Sequence, residues 1–187
     1  MLKELYQDAE TRMKGAIQSL EEDLSAIRTG RANPALVERL QVEYYGAPTP
    51  LIQLASVSVP EARSLLIRPF ESSANMLKTI ERAILASDLG LTPNNDGKAI
   101  RLNLPPLTED RRRDLVKLVH HRVEEARIAI RNVRRDVLKD MREFENEKMI
   151  SEDDRKRGEE EVQKMTDRYI EIVDKTGERK EREVLEV

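Results

Sequence analysis

The sequence predicts an α+β protein: a long antiparallel three-helix bundle with a small β/α/β domain inserted into it through a hinge. Three observations carry this. Charged residues make up 37% of the 187 and hydrophobic ones 39%, with two Phe, four Tyr and no Trp, a balance that suits long exposed helices. Three stretches repeat apolar residues at steps of three and four, the mark of helices burying one stripe. Between the first and second of them the period falls to two, and Pro and Gly punctuate the chain.

The first helical stretch covers residues 2–29, its stripe running Leu2, Leu5, Ala9, Met13, Ala16, Leu20, Leu24, Ile27. The second follows "LPPLTEDRRRDL", where Thr108 is the expected N-cap and Glu109 and Asp110 meet the positive end of the helix dipole. Its seam reads Val116, Val119, Val123, Ala126, Ile130, Val133, Val137, Met141, Phe144. The third opens at "ISEDD", with Ser151 as cap and Asp154 as the reciprocal carboxylate, and continues through Val162, Met165, Tyr169, Ile172 and Thr176. Three narrow stripes enclose one shared core.

In the middle, "LQVEYYG", "PLIQLASVSVP", "RSLLIRPF" and "KAIRLNL" read as strands. A short helix is expected over residues 73–88, ended by Gly90, with "TPNNDG" as the turn after it. The domains expected are therefore residues 1–30 with 105–187 for the bundle and 31–104 for the insertion. Two segments join them, "RTGRANP" and "LPPLTE", and two strands of chain make a hinge of limited freedom at Thr29, Gly30, Arg31, Leu104, Pro105 and Pro106.

Several function classes are excluded or disfavoured. There is no Cys, which removes disulfides and thiol chemistry. No apolar run approaches the roughly 20 residues of a membrane helix, and the start resembles no signal peptide, so a complete cytosolic protein is expected. No phosphate-binding loop, dinucleotide fingerprint or metalloprotease motif is present. His120 and His121 are adjacent, so they diverge by about 100° on a helix and share no metal. The expectation is a non-enzyme without cofactor or metal.

The net charge of -3 hides segregation. Residues 111–135 hold nine Lys/Arg against three Asp/Glu, a balance of +6; residues 143–187 hold ten against sixteen, a balance of -6. Within the basic half, Arg127, Arg131, Arg134 and Arg135 share one side of the second helix, beside the apolar stripe. For any one of them an interhelical ion pair is the plainer reading. As a set, arginines in a stripe suit phosphate, through planar bidentate donors on a rigid rod. Arg28 and Arg31 join the set if the end of helix one lies near it. DNA is disfavoured, because no helix-turn-helix pattern is present. Of Tyr44 and Tyr45, strand alternation turns one to the core and leaves the other as a possible partner contact.

The whole chain resembles the bacterial ribosome recycling factor family, on "IRTGRANP", "VEYYGAPTPL", "QLASV", "ASDLGL", "LPPLTEDRR", "ARIAIRNVRRD" and "ISEDD", in the family's order. The resemblance implies an L-shaped, tRNA-like outline and a cytoplasmic monomer. It implies binding between the ribosomal subunits after termination, with the bundle on large-subunit rRNA, and subunit splitting with elongation factor G and GTP. Initiation factor three then keeps the small subunit from rejoining. Arg131, Arg134 and Arg135 match the family's rRNA-contacting motif, with Arg28, Arg31 and Arg111 as further matches. Two other readings compete: a coiled-coil adaptor for a protein partner, indifferent to salt and RNA, and, remotely, a hydrolase using scattered carboxylates.

Overall fold

A computed structural model describes residues 1–186; Val187, the last residue of the expected bundle domain, lies outside them. The elements run α1 (Leu2–Ser25), α2 (Ala35–Glu38), β1 (Gln41–Tyr44), β2 (Ala47–Pro50), α3 (Leu51–Leu54), β3 (Ala55–Glu61), β4 (Ser64–Pro69), α4 (Ala74–Ala86), β5 (Pro93–Asn95), β6 (Ile100–Asn103), α5 (Glu109–Asn146) and α6 (Glu152–Leu185). The chain divides into two compact units, Met1–Arg28 with Glu109–Glu186, and Thr29–Thr108.

In the first unit α5 runs antiparallel to α1 and α6. Arg12 meets Asp136, Glu10 meets Tyr169, and Leu24 lies beside Thr176. The expected α1 stripe holds, with Ala9, Met13, Leu20 and Leu24 buried. On α5 the stripe begins at Leu115 rather than Val116, which is half-buried, as is Phe144 at the other end. On α6 the stripe passes through Val162, Thr166, Tyr169, Val173 and Thr176, so Val173 is buried and Ile172 is 39% exposed. Both readings fit steps of three and four. Small groups at the α5 contact decide between them: a Cβ on Gly177 would stand 2.5 Å from Val123 Cγ2. The buried hydroxyls of Thr166 and Thr176 donate to the carbonyls of Val162 and Ile172, both at 2.7 Å, so neither is left unsatisfied.

The turn between α5 and α6 closes with two backbone bonds, Met149 N–H to the Phe144 carbonyl and Lys148 N–H to that of Glu145, with Lys148 at φ 61 where glycine is usual. Ser151 then caps α6, its Oγ accepting from Asp154 N–H at 3.1 Å while the Asp154 carboxylate accepts from Ser151 N–H. This is the reciprocal cap that "ISEDD" predicts.

The second unit holds a two-stranded antiparallel ribbon, β1–β2, and an antiparallel four-stranded sheet in the order β3-β4-β6-β5. Helix α4, capped by Ser73, contributes Met76, Leu77, Ile80 and Ile84 to a core with Val42, Leu65, Ile67, Ile100 and Leu102. Four local readings are corrected. Residues Leu51–Leu54 form a helical turn, because buried Leu51 and Leu54 are three apart and strand alternation cannot bury both. The proline-bearing segment Ala47–Pro50 pairs as a ribbon edge, where missing N–H groups cost little. Pro93–Asn95, expected as turn, is the outer strand of the sheet. Helix α4 ends at Ala86, where Ser87 Oγ donates to the Ile84 carbonyl, and Gly90 lies beyond it in the loop at φ +65.

Candidate functional site

The basic side of α5 is wider than one stripe. At about 100° per residue, Arg134 lies roughly 70° from the direction of Ile130, Val133 and Val137, and Arg135 roughly 170°. Accordingly Arg127 and Arg134 are half-buried beside the core, while Arg131 and Arg135 are exposed farther round, a correction to the single side expected.

Their partners differ. Arg127 reaches Asp174 of α6 with Nε at 2.8 Å and Nη2 at 2.6 Å, and Glu124 with Nη1 at 3.0 Å. The hydrogen bonds from Asp174 and then Glu124 hold its guanidinium pKa above the ordinary value, so the charge is fixed and matched by two carboxylates. Arg131 shares Glu124 at 3.4 Å. Arg134 donates through Nη1 to Gln163 Oε1 at 2.6 Å, a neutral acceptor, and its Nε is buried without a partner. Arg135 has no partner among the described residues. Asp136, the acid next to these arginines, is held by Arg12 of α1 at 2.6 Å, which raises the Arg12 pKa and keeps the carboxylate away from the face.

The result is an open depression of about 510 Å³ lined by Arg131, Arg134, Arg135, Lys139 and Arg142 with Asn132 and Leu138, and by no carboxylate. Lys139 and Arg142 extend the face one to two turns beyond the predicted set, each with an acid at the rim, Glu143 at 3.6 Å and Glu159 at 3.9 Å. The spacing of these two cations from Arg131 and Arg135 is the sequence signal that would have found them. Gln163 and Arg12 stand on other helices and left no such signal. Arg111 is twenty residues before Arg131 on the same helix, about 30 Å by helical rise, so the two do not share a site. Arg28 is exposed just past α1, at the end of the unit opposite Tyr6 and Gly158; Arg31 belongs to the second unit. His120 lies 2.9 Å from Glu181 and His121 3.3 Å from Glu125, and no group of three metal-ligating side chains occurs among the described residues. Among them too, no helix is long and apolar enough to cross a membrane.

Residues 20–185 match a family described as ribosome recycling factor. The chain belongs to the ribosome recycling factor family. The ribosome-recycling factor of Halalkalibacterium halodurans is 54% identical over 187 residues, and that of Roseiflexus castenholzii 53%, each covering 100% of both chains. A solution structure of the ribosome recycling factor matches with a TM-score of 0.69 at 43% identity, over 100% of this chain and 98% of that one. A second structure is described as models of the T. thermophilus ribosome recycling factor and E. coli elongation factor G bound to the E. coli post-termination complex. It matches with a TM-score of 0.61 at 49% identity, over 99% of each chain. Ribosome recycling factors are translation factors, not enzymes, and this chain is one by sequence and by fold.

In this family member the stretches around Ala32 and Leu104, expected to be linkers, are tied to the body of the second unit. Ala32 N–H donates to the Ala62 carbonyl and Leu104 N–H to that of Arg63, both at 2.8 Å, so one tight turn holds both chains. Beyond that staple, Thr29 is buried, Gly30 takes φ +78 with Leu107 Cγ only 3.2 Å from where a Cβ would be, and Pro105 and Pro106 are exposed. Tyr44 packs partly on the second unit's core and Tyr45 is 85% exposed. The cause is a turn, not strand alternation. Tyr45 (φ 49) and Gly46 (φ 79) form the two-residue link between β1 and β2, and the Tyr45 ring stands edge-on to Tyr44 with centroids 4.5 Å apart.

Proposed function

We propose that this chain releases ribosomes from mRNA after termination by splitting the post-termination complex with elongation factor G and GTP. Its bundle binds large-subunit rRNA through Arg131, Arg134 and Arg135. One observation carries the reading: a net-acidic chain presents a depression lined by five cations and by no carboxylate, in which Arg134 and Arg135 meet no acid and Asp136 is drawn away by Arg12. Multiple arginines with open donors suit phosphate oxygens, and confinement to one face orients the protein without general affinity for RNA. Arg127 supports the face from within the bundle, its own charge matched by Asp174 and Glu124. Arg28, Arg31 and Arg111 make separate contacts toward the linkers.

Thr29, Gly30, Arg31, Leu104, Pro105 and Pro106 act as a hinge between a bundle of residues 1–30 with 105–187 and an insertion of 31–104. The double staple supports this reading, since it limits free backbone to a few residues on each strand. Elongation factor G pushes the inserted domain, and the linkers carry the push to the anchored bundle. Tyr45 offers an exposed aromatic contact to a partner, with Tyr44 as its support. The protein acts as a cytoplasmic monomer, and initiation factor three completes the reaction by holding the small subunit apart.

The test is a sucrose-gradient assay on post-termination ribosomes with elongation factor G, GTP and initiation factor three. Splitting by the unmodified chain, abolished in Arg134→Ala, is expected. Splitting that survives would remove Arg134 from the site, and no ribosome binding at all would sink the reading in favour of a protein adaptor.

A further inference from the structure

Arg134 is held differently from every other arginine of the face. Its Nη1 donates to Gln163 Oε1 at 2.6 Å, and Gln163 in turn donates through Nε2 to Asp167 Oδ1 at 2.8 Å, one helical turn further along α6. Only one orientation of the amide satisfies both bonds, because flipping it would set its NH₂ against the guanidinium and its oxygen against the carboxylate. Asp167 thus orients Gln163, and Gln163 orients Arg134, without a carboxylate touching the arginine.

We propose that Gln163 is a positioning residue for the recycling reaction, holding the Arg134 guanidinium in place through a neutral acceptor so that its charge stays available to rRNA phosphate. This rests on the reading of the α5 face as an rRNA site. A guanidinium has five N–H donors. In Arg134 the one on Nε is buried and one on Nη1 goes to Gln163, which leaves three, both on Nη2 and the second on Nη1. That remaining fork is the group that grips a phosphate bidentately. The buried, unpaired Nε is a penalty the fold accepts in this pose. A carboxylate at 163 would hold the arginine at least as firmly, as Asp174 holds Arg127, but would cancel the charge. The amide separates these two effects: it fixes geometry and leaves the field intact.

The experiment measures binding of the full chain to isolated large subunits across salt concentrations, for Gln163→Glu and Gln163→Met, beside Arg134→Ala and Arg135→Ala. Both changes at 163 are on an exposed position, and thermal midpoints accompany each measurement. Gln163→Glu is expected to weaken binding about tenfold and lower the slope of log K against log salt by about one, like Arg134→Ala, with at most a small loss of midpoint, because its ion pair to Arg134 offsets the new repulsion from Asp167. Gln163→Met is expected to weaken binding about threefold with the slope kept, because position is lost and charge is not. Wild-type affinity and slope in Gln163→Glu, with Arg134→Ala still impaired, would overturn the role of Gln163 and leave the face standing. Unchanged binding in Arg134→Ala and Arg135→Ala would overturn both.

Discussion

Arg127 and Arg134 occupy the same place in successive heptads of α5. Both are half-buried and both reach α6, yet one meets the carboxylate of Asp174 and the other the amide of Gln163. Residue type and helix phase are equal; the facing residue differs, and so does the residue three before, Glu124 for Arg127 and Arg131 for Arg134. The first pair, about one-third exposed on each side, contributes on the order of 0.5–1 kcal/mol to the bundle and spends its charge there. The second contributes geometry and keeps its charge. A basic stripe is therefore not one functional object, and the partner across the groove decides which of its members is structural and which is free to bind.

The largest expected effect comes from disturbing the α5–α6 contact beside Arg127. Gly177→Ala places a Cβ against Val123 Cγ2, and overpacking of this kind costs about 1–3 kcal/mol, even after the better helix propensity of alanine. The thermal midpoint should drop by about 2–4 °C for each kcal/mol, and Val123→Ala in the same chain should recover part of the loss. Unchanged stability would mean that the helices are not in contact there.

A smaller effect should follow from making Arg127 resemble Arg134. Asp174→Asn keeps an acceptor at the same place and removes the charge. Large-subunit affinity should rise about threefold, or about 0.7 kcal/mol, with a small loss of midpoint. No gain would show that Arg127 lies outside the binding surface whatever its charge. The smallest effect tests the acid beside the face: Arg12→Ala releases Asp136 next to Arg135 and should lower affinity about twofold. Adding Asp136→Asn should restore it.

Much of this was legible in the residues. The apolar stripe of α1, that of α5 from Val119 to Met141, the Ser151–Asp154 cap and the Ser73 start of α4 all depend on neighbours within one turn, and local spacing reads them correctly. The α6 stripe differs from the expected one by one residue at Met165 and at Ile172, where Thr166 and Val173 are buried instead, because two stripes obey the same spacing and only the close approach of Gly177 to Val123 selects between them. Leu51–Leu54 and Pro93–Asn95 were misread because tertiary contacts override their turn and strand propensities. At the face, arginine identity and helix phase were visible. The engagement of Arg127 and the neutral support of Arg134 were not, since both depend on the register of α6 against α5.

Of the arginines of α5, those left open by carboxylates, Arg134 and Arg135, should carry more of the binding than Arg127, whose charge two carboxylates match. This claim is tested most directly by comparing Arg135→Ala with Arg127→Ala in salt-dependent binding to large subunits. Arg135→Ala should lose about tenfold in affinity and about one in the salt slope at an unchanged midpoint. Arg127→Ala should lower the midpoint and leave the slope within error. Equal losses of affinity and slope in the two would contradict the claim, because charge already matched by Asp174 and Glu124 would then count for as much as charge left open.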